Sequence, residues 1–315
     1  MMIYVCRRLL LAIPTLFIML TAIFVLVRLV PGDAASVILG DQASAASLAA
    51  LRQKLGLDLP VHVQYLAFIG KVLTGDLGQS LSTSHSVIKE VLLVLPSTIE
   101  LTVAAISLGL LFGLPLGIAA ALCRNGWIDY VARVISLVGL SFPAFVSGIL
   151  MLIVFAIQLG WFPVLGMTSG SGSSVLERMR SLALPAINLG IIMSAYVMRV
   201  SRAAMLGVLT EDYIRTARAK GVGPTRLVMT HALRNSLIPI ITVVGLYFGT
   251  LIGNSVLTEI IFNRPGLGKL IIGALNARDY TLLQGLMIIF AICVIFINTL
   301  TDLIYGLVDP RVKYT

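Results

Sequence analysis

Six runs of nearly unbroken apolar residues, at about 9–30, 98–123, 134–159, 182–198, 237–262 and 282–308, constrain this chain more than any other feature. Each is close to the 20 or so residues that cross a hydrocarbon core of roughly 30 Å. Backbone amides inside lipid have no water to bond, so a crossing segment must be a helix or a strand of a closed barrel. The runs are apolar at consecutive rather than alternate positions, which selects helices. The expectation is an all-α integral membrane protein with six transmembrane helices, both termini on one side. Of 315 residues, 58% are hydrophobic and 12% charged, against about 25% charged in a soluble domain; a soluble globule is excluded.

The net charge of +9 belongs to the short loops. Arg7 and Arg8 precede the first run, Arg124 and Arg133 lie between the second and third, and Arg311 and Lys313 follow the last. Arg199, Arg202, Arg215, Arg218, Lys220, Arg226 and Arg234 fall between the fourth and fifth. Short cytoplasmic loops hold the excess of Lys and Arg, so both termini and the 199–235 loop are expected in the cytoplasm. Arg178, Arg180, Arg264, Lys269 and Arg278 on the other side moderate the bias. No basic patch interleaved with aromatics points to nucleic acid. Cys6, Cys123 and Cys293 form no close pair and read as packing residues. The first run exceeds the core of a cleaved signal peptide and reads as an uncleaved anchor.

This divides the chain into residues 1–30, a cytoplasmic tail and first helix; 31–96, an extracytoplasmic loop; 97–308, the membrane core; and 309–315, a cytoplasmic tail. In the loop, Pro31-Gly32-Asp33 is a turn, helical periodicity covers 44–55 and 61–72, and Gly75-Asp76-Leu77-Gly78 stops the second segment. The loop forms a small helical cap, too short for an enzyme domain.

Within the second run Gly109, Gly113 and Gly117, and within the fifth Gly245, Gly249 and Gly253, repeat every fourth residue. Small residues at that spacing let helix backbones approach closely; the alternative is a flat face on which helices slide. Pro14, Pro115, Pro143 and Pro185 predict kinks. Glu100, Glu259 and Asp302 lie near predicted helix ends, where local partners or snorkelling favour a structural role over a functional one. No H-E-x-x-H pair, G-x-S-x-G elbow or G-x-x-x-x-G-K-[ST] loop occurs; around Gly268-Lys269, Asn263 replaces the first glycine and Leu270 follows the lysine. No catalytic residue, metal site or bound cofactor is therefore expected, and the substrate-binding residues are not identifiable.

Residues 210–221 read as a short, separately terminated helix. Thr210 is the expected cap, Glu211 and Asp212 suit the N-terminus, Arg218 and Lys220 the C-terminus, and Gly221 the left-handed closing position. Gly223-Pro224 starts a second helix over 225–235. Tyr213, Ile214 and Ala217 are expected exposed beside a basic face, a surface calling for a partner; a solvated basic loop is the plainer alternative. Small Ala217, Ala219 and Gly221 would admit a partner close to the backbone.

This loop resembles the cytoplasmic signature of permease subunits of binding-protein-dependent ABC importers, the dipeptide, oligopeptide, nickel and glutathione group. Against the general pattern E-A-A-x-x-x-G-x(9)-I-x-L-P, Ala217, Gly221 and Leu233 match, while Arg215, Thr216, His231 and Arg234 depart. The peptide-importer variant Tyr-x-x-x-Ala-x-Ala-Lys-Gly followed by His-Ala-Leu-Arg-Asn is similar to Tyr213 through Gly221 and His231 through Asn235. Further resemblance lies in Arg7-Arg8, Pro31-Gly32-Asp33, residues 56–59 and 75–78, Glu259-x-x-Phe262-x-x-Pro265-Gly266-Leu267-Gly268 and Asp309-Pro310-Arg311. The resemblance implies the type I permease fold in the bacterial inner membrane and a related second permease, giving a heterodimer. It also implies two ATPase subunits holding ATP and Mg, and an extracytoplasmic binding protein that delivers a peptide or similar solute. By the same resemblance, Asp212, Tyr213, Ile214, Arg215, Thr216, Ala217, Arg218, Lys220 and Gly221 form the coupling helix that contacts the ATPase. An ion-coupled secondary transporter stays as the alternative function.

Overall fold

A computed structural model describes residues 2–29, 44–164 and 174–308. The Pro31-Gly32-Asp33 turn and the 309–315 tail, with Arg311 and Lys313, lie outside them, as do the side chains of Cys6, Arg7 and Arg8.

Eleven helices make up the described residues: α1 (Met2–Leu29), α2 (Ala45–Leu55), α3 (Val61–Leu73), α4 (Val87–Leu122), α5 (Trp127–Ser141), α6 (Ala144–Met151, continued by a π-helical segment Leu152–Gln158), α7 (Val175–Leu209), α8 (Asp212–Ala219), α9 (Pro224–Ile261), α10 (Leu267–Asn276) and α11 (Tyr280–Val308). Among the described residues, strand-like pairing is confined to one bridge, Gln79 with Ser86. Local chemistry sets several ends. Ser44 accepts from the amide of Ser47 to start α2, and Gly56, at φ 68°, closes it. Ser174 and Glu177 form a reciprocal capping box at the start of α7.

Five of these helices, α1, α4, α7, α9 and α11, are long and apolar enough to cross a membrane. The third expected span is different. Its two halves, α5 and α6, meet at 97°, because Phe142 is extended (φ −89°, ψ 126°) before Pro143. Proline lacks the amide that would continue the ladder and disfavours helical backbone in the residue before it. On α7, the buried Asn188 closes the break: its Nδ2 donates to the Ala144 carbonyl at 2.9 Å and its Oδ1 accepts from Ser147 at 2.7 Å. Pro185 and Pro239, by contrast, sit inside unbroken helices. Spans are also longer than their apolar runs: α4, of 36 residues, begins at Val87 rather than near residue 98 and is about 54 Å long.

The described chain separates into two compact units, and α1, α4 and α11 have residues in both. One contains residues 97–265 and 297–315 with the first eight. Its main core gathers Leu101 and Ala105 of α4, Leu189, Met193 and Val197 of α7 and Leu251 of α9. Gly109, Gly113 and Gly117 line the α4–α7 seam. A Cβ at these positions would come within 2.3 Å of Met193 Cγ, 2.5 Å of the Ser194 carbonyl oxygen and 2.6 Å of the Met198 carbonyl oxygen. The second series behaves differently. Gly245 is pressed on Thr301 of α11, where a Cβ would lie 1.8 Å from Cγ2, yet Gly253 has nothing within 4 Å. Eight residues carry a helix about 80° past its starting face, so Gly253 turns away from the helix Gly245 touches. Its expected packing role is not met among the described residues. Two buried polar side chains of this unit find partners across helices: Arg264 donates through Nη2 to Glu100 at 2.5 Å, and Thr98 donates to the buried Glu259 at 2.6 Å.

The other unit contains residues 9–96 and 266–296. The segment expected as a cap is thus completed by a distant part of the chain. Leu20 and Ile23 of α1 pack with Ile288 and Ala291 of α11 and with Phe68, Ile69 and Val72 of α3. Val87 and Val91 meet Leu267, Ala274, Leu282 and Leu286. Asp279, almost fully buried, accepts from Ser80 Oγ at 2.6 Å and from the amides of Ser82 and Leu282. Burial alone would push its carboxyl up, but these hydrogen bonds and the Leu81 amide outweigh it and hold the group below the usual carboxylate range.

Two measurements check this packing. Gly113→Leu forces a side chain into the Ser194 backbone and is expected to cost about 1–3 kcal/mol or more, lowering Tm in detergent by several degrees, whereas Gly253→Leu leaves Tm of the subunit unchanged; equal effects would contradict the seam. A carboxylate with a lowered folded-state pKa stabilises above its unfolded value and ceases to do so as pH falls through the lowered one. Wild type should therefore hold its Tm down to about pH 5 and lose it below about pH 4, while Asp279→Asn is less stable at neutral pH and loses less on acidification.

Candidate coupling site

At one end of the first unit the chain leaves α7 at Leu209, forms the eight-residue α8 and enters α9 at Pro224. Thr210 does not cap α8. It ends α7, its hydroxyl donating back to the Gly207 carbonyl at 2.7 Å, and Glu211, in extended conformation, occupies the position before α8. Gly221 has φ 77°, the left-handed conformation a side chain resists. Among the described residues no atom lies within 4 Å of where its Cβ would be, so backbone geometry is what requires glycine there. The segment expected as a separate helix over 225–235 is instead the start of α9, passing through a π-helical stretch at Leu227–Ala232.

The expected exposure of α8 is corrected on one face. Ile214 is fully buried, packed with Ala121 of α4, Met205 of α7 and Leu227 and Ala232 of α9, and Ala217 packs against the same cluster. Residues three apart share a helix face, and this apolar pair in an otherwise polar helix was the available sign that the face turns inward. What remains exposed on α8 and its two flanking residues is Glu211, Asp212, Tyr213, Arg215, Thr216, Arg218, Ala219 and Lys220. The Tyr213 hydroxyl is fixed by Asn235, whose Nδ2 donates to it at 2.7 Å. Counting its two flanking residues, three cations and two carboxylates thus stand on a helix packed at once on three long helices.

A second polar cluster in this unit was not foreseen as a pair. Asp129 of α5 is completely buried and takes two hydrogen bonds from Arg202 of α7, Nε to Oδ1 at 2.5 Å and Nη2 to Oδ2 at 2.8 Å. The amide of Asn125 donates to the same carboxylate at 3.0 Å. The two residues are 73 apart in sequence, and no local pattern links them. Among the described residues no group of His, Cys, Asp and Glu could hold a metal.

Residues 113–314 match the family described as binding-protein-dependent transport system inner membrane component, and residues 1–102 match its N-terminal companion. The chain belongs to this family. Full-length relatives agree. A glutathione transport system permease protein, GsiC, of Salmonella choleraesuis is 41% identical over 99% of both chains. A di/tripeptide transport system permease protein, DppB, of Pseudomonas aeruginosa is 42% identical over 100% of this chain and 99% of its own. A dipeptide permease DppB of Alkalihalophilus pseudofirmus is 41% identical over the whole of both. A chain of the inward-facing MetNI methionine ABC transporter shares the fold, with a TM-score of 0.56 at 18% identity over 69% of this chain and 94% of its own. This permease is a multi-pass membrane subunit of an ABC importer, and that membership decides against the ion-coupled transporter.

Ile214→Ala removes the anchor of α8 from a filled site, an effect of about 2–5 kcal/mol on local packing. Limited trypsin digestion of the purified permease should cut faster at Arg215, Arg218 and Lys220 in this variant, and no faster in Tyr213→Ala. Equal cutting in Ile214→Ala and wild type would mean that the buried cluster does not hold the helix.

Proposed function

We infer that this permease forms half of the membrane path through which a small peptide, glutathione included, is imported at the expense of ATP hydrolysed on separate subunits. The observation that carries the coupling role is the two-faced helix α8, locked inward by Ile214 and Ala217 and presenting Asp212, Tyr213, Arg215, Thr216, Arg218 and Lys220 outward. An ATPase groove engaging that outward face would move α8 as a lever, and α4, α7 and α9 would tilt with it. Gly221 lets the chain turn sharply behind the helix, leaving its open side free for the ATPase. Two ATPases serve the pair formed by this permease and a related second one, and the charge bias of the loops puts α8 and both termini in the cytoplasm. The 31–96 segment then faces outward, where a binding protein delivers substrate. The substrate class follows from the relatives, which are permeases for glutathione, dipeptides and tripeptides.

Affinity purification of the tagged permease from native membranes in mild detergent tests the assignment. Wild type should bring down a second permease and P-loop ATPases. With Arg215→Glu and Arg218→Glu together, ATPase recovery and substrate-stimulated ATP hydrolysis should fall at least about ten-fold, while the second permease remains. Undiminished ATPase recovery with the double reversal would remove α8 from the contact.

A further inference from the structure

A pocket of about 250 Å³ lies between α5 and α7, lined by Arg133, Arg199 and Arg202 with Leu137 and Met198 in its walls. Two of these three guanidiniums meet one carboxylate, since Asp129 pairs with Arg202 and lies 3.5 Å from Arg133. Two of the N–H groups of Arg202 are spent on Asp129. Arg133 is half-exposed and Arg199 exposed, and among the described residues no carboxylate oxygen lies within 4.0 Å of Arg199. The pocket therefore holds a surplus of positive charge and guanidinium donors beside an apolar wall.

Its depth is set by sequence. Arg133 is the last charge before the apolar residues of α5, and Arg199 is the first after the apolar run 182–198 of α7. Both helices thus pass from hydrocarbon to charge at this level, which in a bilayer is the plane of the phosphates. Leu137, which lines the pocket, is two-thirds exposed, and Val131, Val134, Ile135 and Val138 continue the exposed apolar surface along α5. Trp127 and Tyr130, also exposed, stand one turn beyond toward the helix start, where amphipathic rings mark the membrane interface.

We propose that this pocket binds the headgroup phosphate of an anionic phospholipid, with Arg133 and Arg199 as its ligands and the acyl chains lying along the exposed apolar face of α5. Arginine offers forked N–H donors that match phosphate oxygens, and basic pockets between membrane helices favour anionic headgroups. Arg202 orients the site rather than supplying its main donors, because its fork is held by Asp129. The proposal rests on the reading of this chain as one of a permease pair, with the exposed face of α5 turned to lipid and not to the second permease, and its failure would leave the coupling role of α8 untouched.

Native mass spectrometry of the complex, purified from native membranes, delipidated and given phosphatidylglycerol or phosphatidylcholine in micelles, tests it. Wild type should retain phosphatidylglycerol in preference to phosphatidylcholine. Arg133→Gln with Arg199→Gln should weaken that retention by about five-fold for each arginine, and the double Lys variant, which keeps the charge and serves as a folding control, should recover most of it. Equal retention in wild type and the double Gln variant, or equal retention of the two lipids by wild type, would overturn the proposal. So would displacement of the lipid by millimolar inorganic phosphate, which would point to a free anion. Intact lipid retention with lost uptake in the double Gln variant would place these arginines on the substrate path instead.

Discussion

Inside a hydrocarbon layer every backbone amide and every charge must find its partner within the protein, because no water is there to supply one. That single constraint makes the crossing segments helical and dictates how they can be interrupted. Where Pro143 breaks the third crossing, Asn188 reaches from α7 to take up the Ala144 carbonyl and the Ser147 hydroxyl. At the edge of that layer, where the protein itself shuts Asp129 away from water, its carboxylate is met by a two-pronged guanidinium and a backbone amide.

The same solvent removes the usual hydrophobic reason for helices to associate, so close fit has to replace it. Gly109, Gly113 and Gly117 let α4 approach the backbone of α7 along three successive turns. The seam ends beside Ser201 and Arg202, within the helix that leads to α8. A short helix seated on three long ones is suited to pass on a displacement, since close-packed elements transmit strain instead of absorbing it. If ATP is consumed on a separate subunit, as proposed, such a connection is what the membrane helices require.

A charged, half-exposed pocket beside an apolar helix face carries the same logic to the protein's outer surface. Arg133 and Arg199 stand where the apolar stretches of their helices end. A lipid phosphate at that level would satisfy the two guanidiniums without burying them, and would hold the α5–α7 contact at a fixed depth in the bilayer.

The sequence by itself determined the class of fold, the family and the position of α8. Apolar runs, turn residues and local motifs act over a few residues and do not depend on what lies opposite. It also carried the helix end at Gly221, because positive φ is a local demand. Tertiary structure alone decided which face of α8 is free, because burial of Ile214 depends on Ala121, Met205 and Leu227 converging from elsewhere. Only the fold could join Asp129 to Arg202, complete the 9–96 unit with residues 266–296, and separate Gly245, which packs, from Gly253, which does not. These outcomes are set by helix rotation and by contacts distant in sequence, and a pattern of residues along one helix leaves that rotation undetermined where the helix is apolar all round.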